Sequence, residues 1–358
     1  MKLRAGLMLL AALLNGCAVM GPSTISSNRP AYNQAVQRTN DQELLLNLVR
    51  ILYRDTTYFT TVERIAASYE FNRGISGGAG WQSAAGAISR SLNLDEGSFA
   101  INEQPTVFYA PVEGEKFVRQ MMTPMNPDLL LMLVKSGWSL DRVFSIGVQE
   151  MNGLRNAPSA SGPTPALEPE FRGFKEAVRL LRVLLINGLI ELGRSQEGDG
   201  LEVRLSPAAE NRPETIRIKE LLGLEQGRSR FRIVPGTDKH DPNTIAISTR
   251  PLISALSYLA QGIDAPAADR KSGKVRQTLR HDGAPFDWQE LLEGVFQVRS
   301  SATPPDNASV AIAYRGSYFY IADDDLESKS TFVLLNQLMA LNATPAGSGS
   351  AMNFTFGK

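Results

Sequence analysis

An α+β fold, with mixed or antiparallel strands interleaved among helices, is what this sequence predicts. Three observations carry it. Apolar residues recur at helical spacing in several separate stretches, alternating apolar and polar residues recur between them, and both patterns run through each half of the chain. With 43% hydrophobic and 21% charged residues, the balance is that of a globular body and not of a disordered chain. A single cysteine in 358 residues leaves no pair for a disulfide, so core burial has to supply the stability.

The first stretch is an address. Lys2 and Arg4 precede an apolar run over 5–14, and small residues lead into Cys17. That order predicts a signal peptide over 1–16. The apolar run is about half the length a membrane-spanning helix needs. Leu14, Gly16 and Cys17 resemble the lipobox of bacterial lipoproteins, with Asn15 in place of the commoner Ala or Ser. The resemblance implies a lipid-bearing Cys17 carrying palmitate-type chains. Ala18 stands where an aspartate would mark inner-membrane retention, so the resemblance implies the periplasmic face of the outer membrane.

Residues 17–30 contain Pro22 and no periodicity, and read as a lipid-anchored tether. The N-terminal α+β half follows over 31–155. A helix is expected over 31–55, with Ala35, Leu44, Leu45, Leu48, Val49, Ile51 and Leu52 inward and Asn47, Arg50 and Arg54 outward. Residues 59–109 are β-rich, with Tyr69, Phe71, Phe99 and Ile101 alternating with polar neighbours. Within them, 73–98 is so rich in Gly, Ala and Ser that a mobile hairpin or loop is expected there, not a core strand. Short helices are expected over 113–122 and from Asn126-Pro127-Asp128 to Gly137, the second with proline at its first turn. One amphipathic segment covers 140–154.

The Pro- and Ser-rich stretch 156–169 reads as a linker, and 170–345 as a C-terminal α+β half with a tail over 346–358. A helix over 170–187 buries Phe174, Val178, Leu181, Leu184 and Leu185, and 189–192 with 201–205 form a hairpin. Then come a helix over 213–222, strands over 231–234 and 244–248, and a helix over 251–261 opened by proline and stopped by Gly262. Residues 269–281 form a basic loop, and a short helix over 288–294 runs into 295–299. Strands over 310–314 and 318–322 flank a turn at Arg315-Gly316, and the last helix spans 326–341 with Asp324 and Glu327 as a capping box.

Four stretches, 42–59, 136–156, 249–263 and 314–342, resemble a family of proteobacterial lipoproteins. The resemblance implies an envelope location and one α+β body, and brings no catalytic residues.

Lys+Arg and Asp+Glu are equal at 37 each, so no global field draws nucleic acid. Two histidines and one cysteine exclude a multi-histidine or zinc-cysteine centre, and no nucleotide-binding or zinc-hydrolase motif appears, so no cofactor is expected. Asp323, Asp324 and Asp325 read as a helix start, with a cation site as the lesser alternative. Lys239-His240-Asp241 reads as a solvated turn. Arg270, Lys271, Lys274, Arg276 and Arg280 form a local basic cluster suited to an anionic partner such as lipid or polymer phosphates, and Arg172, Lys175, Arg179 and Arg182 line one helix face. Function is therefore expected to be non-catalytic: an envelope lipoprotein that binds or scaffolds a partner protein or polymer at the outer membrane. The alternative is a periplasmic hydrolase, because Gly74, Ser76 and Gly78 match G-x-S-x-G and His240 or His281 follows downstream.

Overall fold

The computed structural model describes residues 20–74, 83–84, 87–94, 97–111, 114–195, 200–237, 241–342 and 354–356. The signal peptide and Cys17 lie outside them, as do Ser76 and His240. The α+β class holds: helices interleave with a five-stranded, a six-stranded and a three-stranded sheet.

Helix α1, Met20–Tyr53, is the spine of the body. It begins earlier than expected, since residues 20–30, read as a tether, are helical with Pro30 inside the helix. Once a helix is nucleated, each added residue gains a hydrogen bond at little cost, so polar residues without periodicity extend it. Burial starts at Leu44 and includes Leu45, Leu48, Val49 and Leu52, whereas Ala35 is exposed. Asn47, expected outward, is fully buried. Its Nδ2 donates to the Tyr58 carbonyl at 2.7 Å and its Oδ1 accepts from Tyr58 N at 3.0 Å, which fixes the turn out of the helix.

That turn leads into β1, Thr60–Gly74, which pairs antiparallel along its whole length with β4, Gly97–Pro111. Between them come β2, Ser83–Ala84, and β3, Ala87–Leu94, with β3 paired to β4. The glycine- and serine-rich 73–98 region therefore contributes strands. A ladder satisfies backbone groups whatever the size of the side chain, and poverty in large residues does not prevent it.

Helices α2, Glu115–Met122, and α3, Pro127–Lys135, follow as expected, the second capped by Asn126, whose side chain accepts from Asp128 N at 2.9 Å. The single segment expected over 140–154 divides into helix α4, Leu140–Gly147, and a hairpin of β5, Val148–Met151, and β6, Leu154–Arg155. Asn152 and Gly153 at φ +46° and +80° make the turn, a geometry that Asn-Gly accepts at low cost. Asn152 is buried, its Oδ1 accepting from Ala246 N at 2.6 Å.

Helix α5, Arg172–Ile186, hairpin β7, Ile190–Arg194, with β8, Leu201–Leu205, and helix α6, Pro213–Leu222, all stand where the periodicity puts them. Strands β9, Arg230–Pro235, and β10, Thr244–Thr249, pair in parallel, and the six-stranded sheet runs β6-β5-β10-β9-β8-β7. Helix α7, Leu252–Ala260, packs across α1 and is almost wholly buried. Helices α8, Ala267–Lys271, and α9, Gln289–Leu292, precede the sheet of β11, Arg299–Ser301, β12, Ala308–Tyr314, and β13, Ser317–Ala322. Helix α10, Leu326–Asn342, closes the body, and β14, Phe354–Phe356, lies parallel to β1. Asp325, not Asp324, caps α10: its carboxylate accepts from Ser328 N at 3.0 Å and Ser328 Oγ at 2.6 Å. Glu327, expected in the capping box, pairs with Arg142 instead.

Residues 156–169 are not an exposed linker. Asn156, Ala157, Ala160 and Thr164 are buried, and residues on both sides belong to one hydrophobic cluster. Arg250 explains why. It is fully buried, and its guanidinium donates to the carbonyls of Ser145 at 2.7 Å, Val148 at 3.1 Å and Asn156, and to Ser161 Oγ at 3.2 Å. The cation sits 4.0 Å over the Tyr258 ring. It thus stitches the Pro-rich stretch to the end of α4, where free carbonyls favour a positive charge. Burial lowers its pKa to about 10, so it remains a cation at neutral pH.

Candidate binding cleft

Where α7 ends, the chain turns along one wall of a cleft of about 310 Å³. The glycine there is required by close approach. A Cβ on Gly262 would lie 2.6 Å from the Phe296 carbonyl, and its absence lets Gly262 O accept from Val298 N at 3.1 Å while Asp264 N donates to Val298 O at 2.8 Å. This pairing puts Gln261, Asp264 and Gln297 on the cleft.

The opposite wall is the loop before α9. Phe286 is buried, wedged edge-on between Phe171 at 6.0 Å and Trp288 at 5.2 Å, and its amide donates to Thr278 O at 2.9 Å. Trp288, half-buried, thereby holds a fixed ring on the cleft. Asp287 is oriented by Gln289 N, which donates to its Oδ1 at 2.9 Å. Thr278 donates to Pro165 O at 2.8 Å, tying this wall to 156–169, and Thr164 from that stretch also lines the cleft.

The lining is rich in groups that both donate and accept: the carboxamides of Gln261, Gln277, Gln289 and Gln297 and the hydroxyls of Thr164 and Thr278. Two of them hold unused capacity. Gln261 Nε2 donates to Ser257 O at 3.0 Å, but its Oε1 has no partner, and neither has Thr164 Oγ1. Charge is balanced, with Arg270 and Arg276 set against Asp264 and Asp287. Arg270 pairs with Asp264. Behind the cleft, Asp269 is buried and accepts from Tyr53 OH at 2.6 Å and Lys274 Nζ at 2.8 Å. Those bonds hold its carboxyl below the usual range, the lysine contributing most, while burial pushes the Tyr53 hydroxyl up.

Of the five cations expected to meet an anionic partner, Arg270 and Arg276 line the cleft. Lys274 is engaged by Asp269 and Arg280 by Glu290, and Lys271 is exposed. Arg270, Lys274 and Arg280 are therefore paired with carboxylates within ten positions of them in the chain. On α5, Arg172 lies 3.5 Å from Glu290 and Arg182 3.4 Å from Asp141, Lys175 donates to the Glu290 backbone carbonyl at 2.6 Å, and Arg179 is exposed. Asp323 pairs with Lys329 at 2.6 Å, and no group of three or more metal-ligating side chains occurs among the described residues. Asp241 accepts from Asn243 N at 2.9 Å in the expected turn, and His281 is exposed.

Trp288, Gln261, Gln277, Asp287 and Thr164 went unread in the sequence. A tryptophan beside an aspartate in a loop after Pro285-Phe286 was the one local sign. The carboxamides are scattered over 37 positions and carry no spacing pattern. Compared with known proteins, the chain matches no family model, no curated protein and no solved structure.

Proposed function

We propose that this protein is a non-catalytic binding protein of the bacterial cell envelope, anchored through a lipid on Cys17 at the periplasmic face of the outer membrane. Its cleft takes a neutral segment of an envelope saccharide. The lining of the cleft is the observation that carries this reading. A fixed indole offers an apolar face for the C–H side of a sugar ring, and carboxamides and hydroxyls match groups that donate and accept at once. Balanced charge disfavours a polyanion. The volume, at the lower end of the range for small-molecule sites, suits one or two sugar units. The anchor rests on Lys2, Arg4, the short apolar run and Cys17.

Calorimetric titration of the mature protein with chitotetraose, an uncharged sugar bearing both hydroxyls and amides, tests the cleft. Binding is expected, weakened about tenfold or more in Trp288→Ala and weakened again in Gln277→Ala. No heat with chitotetraose, or binding that both variants leave unchanged, overturns the ligand assignment. For the anchor, radioactive palmitate should label the wild type and not Cys17→Ser; an unlabelled wild type removes it.

A further inference from the structure

We propose that the neutral segment held in the cleft is a zwitterion: an amino sugar that carries one carboxylate, bound by Arg276, and one free ammonium, bound by Asp287. The proposal rests on the saccharide reading of the cleft and names the charges that its ligand bears.

Pairing within the lining is the first observation. The charged side chains on the cleft are Asp264, Arg270, Arg276 and Asp287. Arg270 pairs with Asp264, so those two charges cancel. Arg276 is exposed, and its guanidinium has no ion pair or hydrogen bond among the described residues. Asp287, also exposed, pairs with no cation among them. Its Oδ1 accepts from Gln289 N at 2.9 Å, which orients the carboxylate at the start of α9 and leaves Oδ2 open. One cation and one anion are thus left for a ligand, and a ligand with the matching pair of charges keeps the complex neutral.

The second observation is placement. Leu279 and Pro285 form an antiparallel bridge, and Phe286 N donates to Thr278 O at 2.9 Å. These bonds hold 276–279 beside 285–288. The Arg276 guanidinium, the Asp287 carboxylate and the Trp288 indole therefore belong to one short antiparallel stretch of the lining. A sugar laid on the indole by its C–H face turns the substituents at the rim of its ring toward groups on either side. An ammonium and a carboxylate on neighbouring carbons of that ring meet opposite charges there.

Chemical fit selects among charged sugars. A guanidinium presents parallel donors that match a carboxylate, and a carboxylate accepts from the N–H groups of an ammonium. A phosphate would bring about two negative charges beside Asp287 and Asp264, with one unpaired cation to meet them. A sugar bearing an ammonium alone would satisfy Asp287 and oppose Arg276. The lining also holds Gln261 Oε1 and Thr164 Oγ1, both buried and without a partner among the described residues, so polar groups with unused capacity gather on this cleft.

Monosaccharides that share one ring separate the charges, titrated by NMR into the mature protein at about pH 6, where the sugar amine is protonated. N-acetylglucosamine has neither charge, glucosamine the ammonium, N-acetylmuramic acid the carboxylate, and muramic acid both. Muramic acid should bind about tenfold more tightly than N-acetylglucosamine, about threefold for each charge. In Arg276→Gln the affinity ratio of muramic acid to glucosamine should fall about threefold. In Asp287→Asn, which keeps an acceptor for Gln289 N, the ratio of muramic acid to N-acetylmuramic acid should fall likewise. Each ratio is taken within one protein, so a general loss of affinity or of folded protein cancels. Wild-type ratios near one, or ratios that the variants leave unchanged, overturn the proposal, and chitotetraose binding in the same samples then shows the saccharide reading intact. Alanine, which has both charges and no ring, should bind more weakly than muramic acid, and equal binding overturns the proposal as well. Failure of all these sugars and of chitotetraose together overturns both readings.

Discussion

At the scale of single residues, Arg250 holds more of the structure together than any motif the sequence displays. A buried cation without a carboxylate persists because each donor finds a carbonyl or hydroxyl and the plane of the group rests on Tyr258. Replacing it with methionine keeps the apolar stem but leaves the Asn156 carbonyl and the end of α4 short of donors. Arg250→Met should cost about 3 kcal/mol or more, read as a fall in the urea midpoint without a change in slope. Arg250→Lys should recover little of it, because one ammonium does not reach both sides of the fork. A loss within experimental error in either variant would contradict this role. Nothing local marks the residue: Arg250-Pro251 reads as the polar start of a helix.

At the scale of elements, the helix periodicities and turns were legible and the junctions were not. Helices α3, α5, α6, α7 and α10 stand within a few residues of their expected bounds because apolar spacing, Pro at the first turn and capping side chains are interactions within four residues. The 140–154 segment shows the limit. Its apolar residues fit one amphipathic helix, but β5 pairs with β10, nearly a hundred residues away, and the ladder wins over local periodicity. Gly262 is the junction with the sharpest demand. An added methyl would meet the Phe296 carbonyl at 2.6 Å, a backbone atom that moves only with the chain around it. Gly262→Ala should therefore cost about 1–3 kcal/mol by thermal or urea denaturation, and should weaken chitotetraose binding. Gly147→Ala is a useful contrast: its methyl would meet the Leu130 side chain at 2.5 Å, which can rotate, so the loss should be smaller. The reverse order would mean that the Gly262 junction yields easily.

For the molecule as a whole, polar ties radiate from α1 and its end to distant elements: Tyr53 to Asp269, Asp55 to Tyr314 at 2.5 Å and to Arg315 at 2.8 Å, Asp41 to Asn336 at 2.9 Å. They predict a response to acid. The pKa of Asp269 is held down, by Lys274 first, and that of Asp55 by the Tyr314 hydroxyl first. For a depressed carboxylate the stabilisation is complete above its unfolded value, about 3.9, and is lost as pH falls through the folded one. Asp41 acts in the opposite sense, since burial raises its pKa and favours the protonated form. The net expectation is that the urea midpoint falls between pH 7 and about pH 3, and falls less in the double variant Asp55→Asn, Asp269→Asn, whose starting stability is lower. An equal fall in both proteins would show that these two carboxylates do not carry the acid sensitivity.

What the sequence determined by itself were the properties that short stretches encode: the α+β class and the position of most helices and hairpins. Each rests on spacing within one or two turns. Tertiary structure alone decided that 156–169 is packed into the body, and that Gln261, Thr164, Asp287 and Trp288 share one cleft. Arg250 is 94 residues from Asn156 and Tyr53 is 216 from Asp269. Contacts at such separations depend on how the elements pack against one another, and no local pattern of residues records that.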